Sequence, residues 1–147
     1  MIAPLSLKTR AFIYLARREH SRLELEKKLA PHAKNFEELS FALDSFEQQG
    51  FLSDKRVVEQ VICVRRKKFG GRRIVQELRQ KGIDENLITA ALKNLKETEL
   101  QAAREVWQKK FGVMPIDAKE RGKQIRFLMS RGFESEIIGR VLLSPYE

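Results

Sequence analysis

The sequence predicts an all-α protein made of three tandem three-helix units of helix-turn-helix type, stacked into an elongated, curved array. Three observations carry this prediction. Apolar residues recur at three- and four-residue spacings with no sustained apolar–polar alternation, so helices are expected and strands are not. Capping residues and glycine or proline stops divide the chain into nine short helices. One pattern also repeats: Glu77–Leu92 aligns without gaps on Phe127–Leu142 at an offset of 50. An offset of 49 pairs Leu78, Asp84, Ile88 and Leu92 with Leu29, Asn35, Leu39 and Leu43. Lys67-Lys68-Phe69-Gly70 likewise recurs as Lys109-Lys110-Phe111-Gly112. Each unit is too small to bury its own apolar faces well, so neighbours must stack. The expected units are 5–53, 54–97 and 98–145.

In the first unit, Ser6 caps a helix over about 7–19 with Leu7, Ala11, Tyr14 and Leu15 on one face. Ser21 and Glu24 have capping-box spacing, which starts a second helix carrying Leu25 and Leu29; Pro31 ends it. Asn35 with Glu38 opens the third, burying Leu39, Ala42, Leu43 and Phe46, and Gly50 stops it. In the middle unit, Asp54 is expected to cap a helix whose inner face is Val58, Val61, Ile62 and Val64. Gly70-Gly71 breaks the chain, and the next helix buries Ile74, Val75 and Leu78. Gly82 turns it at positive φ, Ile83 packs back, and Asp84 caps a sixth helix with Leu87, Ile88, Ala91, Leu92 and Leu95. A separate seventh helix carries Ala102, Ala103, Val106, Trp107 and Phe111, closed by Gly112 and Pro115. Asp117 with Glu120 starts the eighth, Gly132 ends it, and a ninth runs through Ile137, Ile138, Val141 and Leu142 to Pro145.

With 42% hydrophobic and 33% charged residues over 147 positions, the chain is an ordinary folded composition with a basic excess of +9. That charge makes nucleic acid, an acidic protein surface or an anionic membrane the candidate partners. No apolar run reaches the roughly 18 residues a membrane span needs, and the N-terminus lacks a signal-peptide pattern, so a cytoplasmic protein without membrane attachment is expected. The single cysteine, Cys63, permits no intramolecular disulfide and reads as a buried small hydrophobe.

The sequence offers little to chemistry. There is no phosphate-binding Gly-x-x-x-x-Gly-Lys-Ser/Thr loop. His20 and His32 have no metal-ligand spacing around them and read as surface or capping residues. The carboxylates fall on charged faces or at helix starts, and no nucleophile has a positioned base. The expectation is a non-enzyme without cofactor or metal.

The basic excess is concentrated. Arg65, Arg66, Lys67, Lys68, Arg72, Arg73, Arg79 and Lys81 stand against one acid, Glu77, so seven of the nine net charges lie there. Arg65–Lys68 spread right round a helical turn and cannot all serve one face. Arg72, Arg73, Arg79 and Lys81 lie close together, a repulsion that an acidic ligand would offset. The other candidate contacts are Arg17, Arg18, Arg22, Lys109, Lys110, Arg126 and Arg131. Phe69, Phe111 and Phe133 stand at helix ends beside basic residues and are expected to pack inward. Ser21–Lys28 also resembles the second helix of a helix-turn-helix, although its leucines argue for packing.

Several motifs occur together in one order. They are Leu15-Ala-Arg-Arg-Glu-His-Ser-Arg-x-Glu-Leu25, Gly50-Phe-Leu-Ser-Asp-x-Arg56, Arg66-x-x-x-Gly-Gly-x-x-Arg-Ile74, Glu77-Leu-x-x-Lys-Gly-Ile83 and Arg131-Gly-Phe133. In this the chain resembles the RecX regulators of the RecA recombinase over about residues 8–143. The resemblance implies three three-helix repeats and a protein that lodges in the groove of the RecA–DNA filament, bridges neighbouring subunits, and inhibits or modulates ATP hydrolysis, strand exchange and coprotease activity. The implied partners are the RecA filament and, weakly or through the filament, single- and double-stranded DNA, with the protein a monomer. The chain departs from the family at Ser53-Asp54, where two acids are common, which bears on one cap or contact. It begins and ends close to the repeats, so no long tail is assigned a role. The alternative is a helix-turn-helix DNA-binding protein acting without RecA.

Overall fold

The structure is a computed structural model that describes residues 4–143. Eight α-helices and one 3-10 turn make up the described chain: α1 Leu7–Arg17, α2 Arg22–Leu29, the turn Ala30–His32, α3 Phe36–Gln48, α4 Asp54–Arg65, α5 Gly71–Gln80, α6 Glu85–Lys110, α7 Ala118–Ser130 and α8 Ser135–Val141. No strand occurs among the described residues. Pro145 lies outside them.

Most boundaries follow the cap chemistry. Ser6, Asn35 and Asp117 each accept the backbone N–H three residues on, and Ser21 and Glu24 form the full capping box. Two of the expected helix boundaries fail. Ser53, not Asp54, caps α4 by accepting from Arg56 N, and the Asp54 carboxylate instead accepts from Arg22 N at 2.8 Å. The separate sixth and seventh helices are one 26-residue helix, α6, which passes through the expected 97/98 boundary. Nothing between Leu95 and Ala102 supplies a glycine, a proline or a cap strong enough to stop it, and Lys96-Glu-Thr-Glu-Leu-Gln favours continuation.

Three apolar clusters follow one another along the chain. The first joins α1–α3 around Leu25, Leu29, Leu43 and Phe46. The second joins α4, α5 and the first half of α6 around Val57, Ile74, Leu78 and Ile88. The third joins the second half of α6 with α7 and α8 around Ala103, Trp107, Leu128, Phe133 and Ile138. Cys63 and Val64 depart from expectation and are exposed, because the buried stripe of α4 is Val57, Val58 and Val61, and Cys63 points some 200° away from Val61.

The second helices of successive units run end to end. Ser21 Oγ, at the start of α2, donates to Lys81 O at the end of α5 (2.6 Å), and Gly70 N, at the start of α5, donates to Arg131 O at the end of α7 (2.7 Å). Ser21 and Gly70 are 49 positions apart and Lys81 and Arg131 are 50 apart, so one contact is used twice with the offsets of the sequence repeat. Each contact sets the positive end of one helix dipole on the negative end of the next. Below it, a glycine at positive φ closes the helix: Gly82 (φ 75°) beneath Leu23 and Gly132 (φ 92°) beneath Arg73. Both positions need a left-handed backbone and leave no room for a Cβ.

Candidate partner-binding surface

The first junction is polar and largely self-satisfied. Glu24 receives Arg18 at 2.8 Å, Ser21 N at 3.0 Å and Lys81 at 3.4 Å. Burial works against its ionisation, but the Arg18 and Ser21 hydrogen bonds and the Lys81 charge together hold its pKa at about 2, from an ordinary 4.5. His20, expected as a surface or capping residue, is buried rather than at the surface: its Nδ1 bonds Arg18 O, at the C-terminal cap of α1, at 3.0 Å and its Nε2 faces Lys28 Nζ at 2.7 Å, which fixes the Nδ1–H tautomer. Tyr14, Arg18 and Lys28 of the same unit surround it. Burial, then the charges of Arg18 and Lys28, lower its pKa below 6.5.

Both groups have folded pKa values below their ordinary ones, so both stabilise fully above the ordinary value and lose that contribution as pH falls. Urea melts are therefore expected to show stability declining below about pH 6.5 as His20 charges, and again between about pH 4.5 and 2 as Glu24 protonates. Glu24→Gln should remove the lower decline and leave the upper one.

Within the central cluster, half of the cations already have acids. Arg66 reaches Glu99 at 2.6 Å and also donates to Leu95 O and Thr98 Oγ1, while Glu99 accepts from Gly71 N. Arg65 pairs with Glu77, Arg79 with Glu85, and Lys81 with Glu24. Arg66 is thus a clamp between α4, α5 and α6, only 16% exposed. Lys67, Lys68 and Arg72 are exposed and make no ion pair among the described residues. Glu99 is 33 residues from Arg66, and no local sequence signal links them.

Arg72 faces outward on α5 beside Gln76 and Arg79, while Arg73 joins Arg131 and Lys110 at the second junction in a ladder of charge and aromatic rings. The Arg73 guanidinium lies 4.2 Å from the Phe69 ring centroid, Arg131 lies 5.5 Å from Phe69 and 4.9 Å from Phe127, and Lys110 lies 5.4 Å from Phe127. Arg131 is therefore held between two rings and Arg73 is fixed further by its bond to Ser130 O (3.1 Å). Phe133 packs inward as expected, and Phe69 and Phe111 pack against the clusters while presenting rings to the ladder. Phe127 was not singled out by sequence; its four-residue spacing to Arg131 is the signal that points to it. Beside the ladder, the two Lys-Lys pairs, 67–68 and 109–110, meet across a cleft of about 230 Å³ floored by Val106 and Phe127.

The other candidates lie apart from this cluster. Arg18 and Arg22 are committed to Glu24 and to Asp44 and Glu47 in the first unit, Arg17 is exposed at the end of α1, and Arg126 is exposed on α7. No group of three or more His, Cys, Asp or Glu side chains among the described residues is placed to hold a metal. No helix there is long and apolar enough to cross a membrane.

Family models match the chain in two places, as the second three-helix domain of RecX over residues 53–92 and the third over 97–142. The Regulatory protein RecX of Leptothrix cholodnii is 51% identical over 138 residues, covering 94% of this chain and 88% of that protein. The chain belongs to the RecX family. The Regulatory protein RecX of Ralstonia pickettii is 42% identical, covering 98% of this chain and 91% of its own. The crystal structure of RecX from Lactobacillus salivarius superimposes with a TM-score of 0.78 over 92% of both chains at 20% identity, a likeness of fold. The three-helix units found here are thus those of the RecX fold, and the family is one of regulators.

Proposed function

We propose that the protein is a non-catalytic, cytoplasmic regulator of the RecA recombinase, monomeric in solution, that lodges in the groove of the RecA–DNA filament and bridges neighbouring subunits. Membership of the RecX family and the basic surface around the second junction support this reading. The units 5–53, 54–97 and 98–145 provide successive contacts. The last two share α6 and act as one rigid lever, with the first unit joined through Glu24, Ser21 and Lys81. A body fixed to two subunits at once opposes the movements that strand exchange requires. The basic residues meet filament acids or the bound DNA.

The observation that carries the reading is the concentration of unpaired cations on one junction, Lys67, Lys68, Lys109 and Lys110 beside the Arg73–Phe69–Arg131–Phe127 ladder. A helix-turn-helix reader acting alone fits less well. Such a helix enters the major groove by its N-terminal residues, yet the N-termini of α2 and α5 are occupied by the ends of α5 and α7. The test is ATP hydrolysis and sedimentation of RecA filaments on single-stranded DNA. Inhibition and co-sedimentation at stoichiometric protein are expected; no effect on either rejects the proposal. Tight, salt-sensitive, sequence-selective binding to naked duplex would instead establish the DNA-binding reading.

A further inference from the structure

We infer that the two basic surfaces have different partners: the lysine cleft between α4, α6 and α7 takes the phosphodiester backbone of a single nucleic-acid strand, while the outer face of α5 docks on the recombinase. The inference rests on the filament reading above and divides its surface.

The cleft is made by the two copies of Lys-Lys-Phe-Gly, which the fold brings from the ends of α4 and α6 to one place. Lysines at helix ends have an ordinary use, since each C-terminus carries a partial charge of about −0.5. Two termini therefore call for about one cation in all. Four lysines and Arg131 line the cleft, and no acid lines it. The surplus is uncompensated within the described protein, and all four lysines are exposed. Lysine presents a point charge on a flexible stem, which follows phosphates without requiring a planar partner. The apolar floor of Val106 and Phe127 suits the sugar and base edges of an unpaired strand.

The α5 face has another chemistry. It exposes Arg72, Gln76, Arg79 and Gln80 on one side of the helix, planar guanidinium and amide groups that match carboxylates and peptide groups in directed pairs. Arg79 already holds such a partner in Glu85, an exposed pair that an incoming carboxylate can replace.

The test measures affinity for a naked single-stranded oligonucleotide over a range of salt concentrations, in parallel with inhibition of filament ATP hydrolysis. Each cation that neutralises a phosphate contributes about 0.7 to the slope of log affinity against log salt for a single strand. Lys67→Gln/Lys68→Gln and Lys109→Gln/Lys110→Gln are each expected to lower that slope by about 1.4, with thermal unfolding unchanged. Arg72→Gln/Arg79→Gln should leave the slope unchanged and lose filament inhibition. Lysine pairs that leave the slope intact overturn the inference: if inhibition falls, the cleft faces the recombinase, and if nothing changes, it binds neither. An equal fall in slope with the arginine pair also overturns it. Failure of the filament reading is read separately, from wild-type protein that leaves hydrolysis untouched whatever the slopes.

Discussion

Replacing Glu99 with alanine is expected to destabilise the protein by about 2–3 kcal/mol, just under the range for breaking a fully buried ion pair, because this pair is part-buried. The Glu99 carboxylate is only 13% exposed and serves two donors, receiving Arg66 Nη1 and, through both oxygens, the first N–H of α5 at Gly71. Its removal leaves Arg66 beside the Leu95 and Thr98 oxygens without its counter-charge, and leaves a helix N-terminus without an acceptor. Urea melts of E99A, R66A and the double variant form the measurement. The coupling should be large, with the double variant much less destabilised than the sum of the two. Asp44→Ala, which removes an acid from the exposed Arg22 group, should cost only about 0.5 kcal/mol. Losses in E99A no larger than those in D44A would mean that Arg66 is a solvated cation free for a partner.

Gly132→Ala should cost about 4 kcal/mol and open the α5–α7 junction, leaving the last unit joined to the middle one through α6 alone. A left-handed backbone costs a non-glycine residue about 1–2 kcal/mol. The added Cβ would also lie 2.6 Å from Arg73 Cβ and 2.8 Å from Arg73 N, an overlap with backbone that cannot be relieved by a rotamer change and adds about 1–3 kcal/mol. Gly50→Ala is the control, since Gly50 also has positive φ (81°) but no atom within 4 Å of the built Cβ. It should lose only the backbone share. Trp107, the one tryptophan, is buried in the third cluster and reports the unfolding of the last unit by its fluorescence. In G132A this signal should move to lower denaturant than the helical signal of the whole chain. Equal shifts in G132A and G50A would show that the contact with Arg73 contributes nothing. Loss of the junction should also abolish filament inhibition, because it separates Arg73 and Phe69 from Arg131 and Phe127.

Arg66 and Cys63 mark how far the sequence could be read. Arg66 sits in a run of four cations and looked equivalent to Lys67 and Lys68. Its partner Glu99 is in another helix, and only packing decides that one side chain turns to α6 while the next two face solvent. Cys63 lies between Ile62 and Val64, and the apolar run concealed that α5 and α6 cover one side of α4 only. His20 is the converse case: a polar residue in the α1–α2 loop is buried because both ring nitrogens find partners, in Arg18 O and Lys28, beside the Tyr14 ring.

The sequence by itself determined what depends on neighbours within a few positions. Caps at Ser6, Ser21, Asn35 and Asp117, stops at Gly82 and Gly132, and the inward leucines are local hydrogen-bond and periodicity effects, and their recurrence at 49 and 50 positions exposed the tandem units. The tertiary structure decided what depends on residues far apart. It fused α6 across the 97/98 position, since no local stop opposed two clusters that could share one helix. It also separated spent cations from free ones, because charge pairing depends on distance in space, and half of the Arg65–Lys81 cluster found its acids through the fold. Of those left unpaired, Arg72 faces outward on α5, and Lys67 and Lys68 meet Lys109 and Lys110 at the second junction, where α4 and α6 end on the same cleft.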